Sequence, residues 1–266
     1  VSTDPVLRAE AARMLVEEGL AATGSADAVD GVAVVAVVGT VGSGSGEPLP
    51  DEQRLALHIA VDHARRRLAP THALSLTRPD HALLLSIRPD AGDEEAARGA
   101  EEMADVLCQR LRAELHSDPT AVCRVGVGRV HRRLTEAAAS YAEARQAAEV
   151  AWATGSGEAV TTHARLGVYA LLAKLSPAER AESMHPGVRG LLQPHSGLPE
   201  LAETLGTYLD EAGDARRAAA RLHIHRSTLY NRLRRAEELT GLSLSRGDDR
   251  LIAHLSLKIA QLRDPP

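Results

Sequence analysis

The stretch LAETLGTYLDEAGDARRAAARLHIHRSTLYNRLRRAEELTG, Leu201 to Gly241, decides how this chain is read. Its apolar residues recur at helical spacing in three runs. Leu201, Leu205, Tyr208 and Leu209 line one face of a first helix, and Gly213 suits its end because glycine tolerates positive φ. Asp214 stands where it can cap a second helix, in which Ala218, Ala219 and Leu222 share a face and the small alanines admit a close neighbour. A turn is expected at His223 and Ile224. The third helix, His225 to Thr240, repeats Leu229, Leu233, Ala236 and Leu239 as a buried stripe and stops at Gly241.

On a wheel of about 100° per residue, Ser227, Tyr230, Asn231, Arg234 and Arg235 fall opposite Leu229, with Arg226 at the amino-terminal shoulder. From Asp214 to Arg235, seven arginines stand against Asp214 alone, a local net of +6 that leaves −11 for the rest of a chain whose total is −5. A basic island on an acidic chain suits a polyanion, because each neutralised phosphate releases condensed counterions. Two short helices joined by a tight turn, the second opening with small polar and arginine residues, describe a helix-turn-helix reading a major groove. Double-stranded DNA is therefore the expected partner, bound by a homodimer on two half-sites. Arg226, Ser227, Tyr230 and Asn231 are expected at base edges, and Thr228 and Arg234 at phosphates or sugars. Arg216, Arg217 and Arg235 are expected to supply backbone attraction.

The same segment resembles the carboxy-terminal DNA-binding domain of the PucR/CdaR family of bacterial transcriptional regulators. The residues that carry the likeness are the pairs Thr204–Leu205, Tyr208–Leu209, His225–Arg226, Thr228–Leu229 and Arg232–Leu233, together with Ala219 and Leu222. Arg250 to Leu262 fits the family's closing helix. Upstream, CRVGVGRV (Cys123 to Val130) and SYAEARQAAEVA (Ser140 to Ala151) resemble the GGDEF-like domain that precedes this helix-turn-helix in many members. The resemblance implies a regulator that responds to a metabolite or another signal, with a small-molecule effector as one form of it. Family members often carry a further sensor; this chain opens without Met, at Val1, which suits a fragment from which such a sensor is missing.

Upstream periodicity agrees with an α+β front domain. Val32 to Val41 is an almost pure β-branched run, expected as a strand buried on both faces. Leu74 to Leu76 and Ala82 to Ile87 read as a hairpin around a turn at Arg78, Pro79, Asp80 and His81, and Ala121 to Val127 as a further strand. Helices are expected over Pro5–Leu20, Glu52–Leu68, Glu94–Leu115, Leu134–Ala153 and, briefly, Leu166–Leu175. The expected organisation is an amino-terminal helix and connector over 1–29, then a degenerate GGDEF-like sheet domain covered by helices over 30–162. A helical linker over 163–198 and an all-α helix-turn-helix domain over 199–266 follow.

Length and composition fit that division. At 266 residues, 44% apolar and 25% charged, the chain is expected to fold as two globular domains. Two cysteines, Cys108 and Cys123, are too few for a disulfide framework and are expected as small core residues in a reducing cytoplasm. The ten-residue run Val32–Val41 is too short to cross a membrane, and none is expected as a partner.

Enzymatic readings are disfavoured. A diguanylate cyclase needs carboxylates for its metal ions and a Gly-Gly turn at its hairpin; here the hairpin carries Arg78, Pro79, Asp80 and His81, and the first strand has no acid. Neither catalysis nor a cofactor is expected. Gly39, Gly42, Gly44 and Gly46 read as a flexible loop, since Glu47 to Pro50 intervene before the next helix. His223 and His225 read as turn residues that cap or pack, not as metal ligands. The competing interpretation is a nucleotide or metabolite receptor, or a degenerate cyclase-like enzyme, whose helical end only mediates oligomerisation.

Overall fold

A computed structural model describes residues 5–17, 30–42, 49–67, 72–116, 121–155, 157–193 and 198–262. The helix expected as far as Leu20, the connector that completes 1–29, and Gly44 and Gly46 of the glycine loop extend outside the described residues. The chain divides between Ala173 and Lys174 into two compact units.

The first unit is a mixed sheet between helices: α1 (Pro5–Glu17), β1 (Asp30–Val41), α2 (Asp51–Arg65), β2 (Ala73–Thr77), β3 (His81–Arg88), α3 (Asp93–Glu114), β4 (Cys123–Val127), β5 (His131–Arg133), α4 (Ala137–Thr154), β6 (Val160–Thr162) and α5 (Tyr169–Leu172). The strand order is β2-β3-β1-β4-β6, with β5 pairing β1; β4 and β6 run parallel and the other pairs antiparallel. The β-branched run of β1 explains the layering, because successive side chains of a strand point to opposite faces. Val35, Val37 and Val41 join Leu57 of α2 and Leu107 and Leu111 of α3 in one core. Val34, Ala36 and Val38 join Leu15 of α1 and Ala144 of α4 in the other. A central strand so apolar from Val32 to Val38 is stable only when both faces are covered, and both are.

The glycines of CRVGVGRV mark where α4 lies closest to the sheet. A Cβ on Gly126 would sit 2.0 Å from the Ala144 carbonyl oxygen, and one on Gly128 would sit 2.2 Å from that of Ser140. Ser140 fills the seam: its buried hydroxyl donates to the Arg129 carbonyl at 2.8 Å and accepts from the Ala36 amide at 2.9 Å. Glu143, one turn on, accepts from the Arg129 amide and Nε, both at 2.9 Å. Burial alone would raise the Glu143 pKa, but these Arg129 bonds and His131 hold it below the ordinary range.

The second unit holds α6 (Pro177–Ser183), α7 (Pro186–Leu191), α8 (Pro199–Asp210), α9 (Ala215–Arg221), α10 (Arg226–Thr240) and α11 (Gly247–Gln261). The stretch 163–198, expected as a linker, divides between the units. In α7, Val188 and Leu191 are buried in the same core as Leu205, Leu229 and Leu257. Gly187 lies so close to α10 that a Cβ there would sit 2.5 Å from the Thr240 carbonyl oxygen. The helix expected over Leu166–Leu175 is a single turn, α5. In α10 the stripe differs in its last member: Leu239 is 38% exposed and Thr240 is buried. Eleven residues from Leu229 return within about 20° of the starting face, whereas ten leave Leu239 about 80° away.

Candidate nucleic-acid interface

The interface is built on α9, the turn after it, and α10. The Asp214 carboxylate caps α9, accepting from the Arg216 amide at 2.8 Å and the Arg217 amide at 3.1 Å. The Arg217 amide leads the causes that hold the Asp214 pKa below its usual range. The turn is closed by the Ile224 amide donating to the Ala219 carbonyl at 3.0 Å, with His223 in the left-handed region at φ 54°. His225 then caps α10: its Nδ1 accepts from the Ser227 amide at 3.3 Å and lies 2.7 Å from the Ser227 hydroxyl. The histidine pair thus provides a turn residue and a cap. Among the described residues, no group of three His, Cys, Asp or Glu side chains could hold a metal ion.

All nine residues singled out from the sequence, Arg216, Arg217, Arg226, Ser227, Thr228, Tyr230, Asn231, Arg234 and Arg235, are exposed. Seven of them lie on α10, whose buried side carries Leu229, Leu233 and Ala236. Tyr230 is 53% exposed, unusual for a large ring inside a well-packed unit. A cleft of about 520 Å³ runs beside Tyr230, Asn231 and Arg234, bounded by Tyr208, Leu244 and Ser245.

The arginines are not electrostatically equivalent. Arg217 Nε lies 3.2 Å from Glu211 Oε2 and 3.5 Å from Asp214 Oδ2. Arg221 takes the other Glu211 oxygen at 3.1 Å. Arg235 pairs with Glu238 at 2.9 Å, and Arg234 donates to Asn231 Oδ1 at 2.6 Å. Arg232 turns inward to Glu200 and Thr204 of α8. Among the described residues, no ion pair engages Arg216 or Arg226, although the Arg216 charge lies close enough to Asp214 to help lower its pKa. The island of +6 is thinner in space than along the chain, because Glu200, Glu211 and Glu238 lie outside the counted segment.

Sequence periodicity did not find the groups that hold α10 in place. Glu237 Oε1 accepts from the Leu244 amide at 2.7 Å, and Asp249 Oδ2 from the Ser243 amide at 2.9 Å, fixing the loop after α10. Asp210 of α8 receives Lys258 Nζ and His254 Nε2 of α11, each at 2.9 Å. Desolvation would raise the Asp210 pKa; hydrogen bonds from Lys258 and His254 bring it below its usual value. Glu237 near the end of a basic helix was an available signal, but its position in the sequence does not say which amide it meets.

In the first unit, the hairpin of β2 and β3 is held by structural contacts. His81 is buried, with Nε2 2.7 Å from the Tyr141 hydroxyl on α4 and Nδ1 2.8 Å from Asp80 Oδ1. Arg78 pairs with Glu17 of α1. Cys108 and Cys123 are buried core residues, as expected. No helix of the described residues is long and apolar enough to cross a membrane.

Comparison with known proteins agrees with this division. Residues 201–259 match the model of the PucR C-terminal helix-turn-helix domain, and residues 28–150 match that of the GGDEF-like domain. The chain is 28% identical over 138 residues to the proline-responsive transcriptional activator PutR of Bacillus subtilis (strain 168). That match covers 51% of this chain and 34% of PutR, so the chain spans about a third of its relative's length. A crystal structure of a regulator of polyketide synthase expression from Bifidobacterium adolescentis aligns over 98% of this chain and 100% of that one, at 20% identity and a TM-score of 0.36. With a GGDEF-like domain followed by a PucR-type helix-turn-helix domain, the chain belongs to the PucR/CdaR family of transcriptional regulators.

Proposed function

We propose that this chain binds double-stranded DNA through α10 as a sequence-specific transcriptional regulator, with the first unit as a non-catalytic regulatory domain. The observation that carries the reading is the outer face of α10. Its polar and basic residues are all exposed on a helix whose opposite side is buried and whose ends are tied down. Arg226 and Asn231 carry most of the discrimination, since arginine pairs bidentately with guanine and asparagine with adenine. Asn231 already accepts from Arg234, which orients its amide before DNA arrives. Tyr230 and Ser227 lie beside them at base edges, and Thr228 and Arg234 reach phosphates or sugars. Arg216, Arg217 and Arg235 add backbone attraction.

The protein acts as a homodimer on two half-sites about one turn apart, under the control of a small-molecule effector. PutR is described as proline-responsive, which supports an effector of metabolite size without naming one for this chain. The single acid of the hairpin faces His81 instead of an open metal site, which supports a scaffold in place of an enzyme. The test is a fluorescence titration of the chain against a duplex from upstream of its own gene and against random duplex, beside a thermal-shift panel of nucleotides. The proposal expects selective DNA binding, reduced toward the random-duplex level by Asn231→Ala. A nucleotide-induced shift with no DNA complex at low salt would overturn it.

A further inference from the structure

The two cysteines stand 15 residues apart in sequence, one on the inner face of α3 and one opening β4, yet their sulfurs are 3.7 Å apart. Both thiols are free and each residue is 4% exposed. A disulfide requires the sulfurs to close from 3.7 Å to about 2.05 Å. The pair sits near the end of the sheet. Val122, next to Cys123, is 39% exposed, and Arg112, one turn after Cys108 on α3, is exposed.

We propose that Cys108 and Cys123 form a peroxide-sensitive dithiol site, oxidised to an intramolecular disulfide that ties α3 to β4. The two sulfurs have different roles. The two sulfurs share a hydrogen bond in which either can donate, and that bond, with Arg112 nearby, favours the Cys123 thiolate against the cost of burial. The same hydrogen bond keeps the Cys108 proton in place. Cys123 is therefore the attacking sulfur. Its thiolate attacks one oxygen of hydrogen peroxide, the O–O bond breaks, an S–OH bond forms, and hydroxide leaves to be protonated to water. Cys108 then loses its proton and attacks the Cys123 sulfur; the S–O bond breaks, a second water leaves, and the S–S bond forms. Two thiols lose two electrons in all, and the peroxide is reduced to two waters. A dithiol such as dithiothreitol supplies the two electrons for the reverse step.

The test treats the full chain with hydrogen peroxide and counts thiols after denaturation. The proposal expects both thiols to disappear together, a mass loss of about 2 Da for two hydrogens, and a crosslinked peptide joining residues 108 and 123, all reversed by dithiothreitol. Persistence of both thiols at peroxide concentrations that oxidise exposed methionine would overturn the proposal. So would Cys123 sulfinic acid without a crosslink. The assignment of roles is tested with Cys108→Ser, which is expected to accumulate a dimedone-reactive sulfenic acid at Cys123, and Cys123→Ser, which is expected to leave Cys108 unlabelled. The reverse pattern overturns the assignment. The wild-type crosslink needs no variant, so a substitution that fails to fold leaves the main test intact.

Discussion

Arg216 and Arg217 are consecutive, exposed and chemically identical, yet the structure predicts different contributions to DNA binding. Arg217 is already held by Glu211 and Asp214 and donates to the Glu211 carbonyl at 3.1 Å. No ion pair among the described residues engages Arg216. A phosphate that meets Arg216 has no side-chain ion pair to displace; one that meets Arg217 competes with two carboxylates. Each neutralised phosphate contributes about 0.9 to the slope of log K against log salt. Arg216→Ala is therefore expected to lower the slope by about 0.9, so that its affinity deficit shrinks by about 3.5-fold between roughly 50 and 200 mM salt. Arg217→Ala is expected to change the slope by clearly less than one phosphate's share. Glu211→Gln releases one of the competing acids, so Arg217→Ala in that background is expected to approach the Arg216 effect. The assay is fluorescence anisotropy with a labelled duplex over the same salt series. A slope change for Arg217→Ala equal to or larger than that for Arg216→Ala would refute the reasoning.

Three further outcomes are expected. Gly126→Ala drives a methyl into the backbone of α4, where little can give, so it is expected to destabilise the first unit by at least about 2 kcal/mol, read as a lowered midpoint in urea. Burial lowers the His81 pKa below 6.5 despite Asp80. The unfolded chain then binds the extra proton first, and stability falls as pH drops through about 6.5 toward the folded value. Unfolding of wild type against His81→Gln from pH 8 to pH 5 checks this, since the variant is expected to lose that component of the slope. Thr240→Val keeps the shape but removes the hydroxyl that donates to the Ala236 carbonyl at 2.7 Å and accepts from the Leu242 amide at 3.3 Å. Leaving that buried amide unpaired is expected to cost about 1 to 3 kcal/mol in the second unit, measured by thermal unfolding.

The α10 face was legible because a long helix repeats its period often enough to fix a direction, and because arginine at those positions has no role in a core. The two-faced burial of β1 was legible for a similar reason: no strand so rich in valine survives with a wet side. Short elements were not legible. β5 and β6 have three residues each, too few for an alternating pattern to stand out, and both depend on pairing with strands far off in sequence. The run HPGVRGLLQP reads as part of the linker because prolines and glycines interrupt it, although Val188 and Leu191 complete the core beneath α10. The ion pairs were hidden for a different reason. Glu200 is 32 residues from Arg232, and only the packing of α8 on α10 brings them together.

The bracing of α10 has a consequence for the DNA itself. The helix is gripped through Arg232 near its middle, through Glu237 and the loop after it, and by the tight passage of Gly187 at its last residue. A reading helix held firmly within its own unit leaves more of the adjustment to the duplex. On the proposed function, operator choice would then depend on how readily flanking base steps bend as well as on the bases touched. Sites with equal contacts but stiffer flanks would bind less tightly.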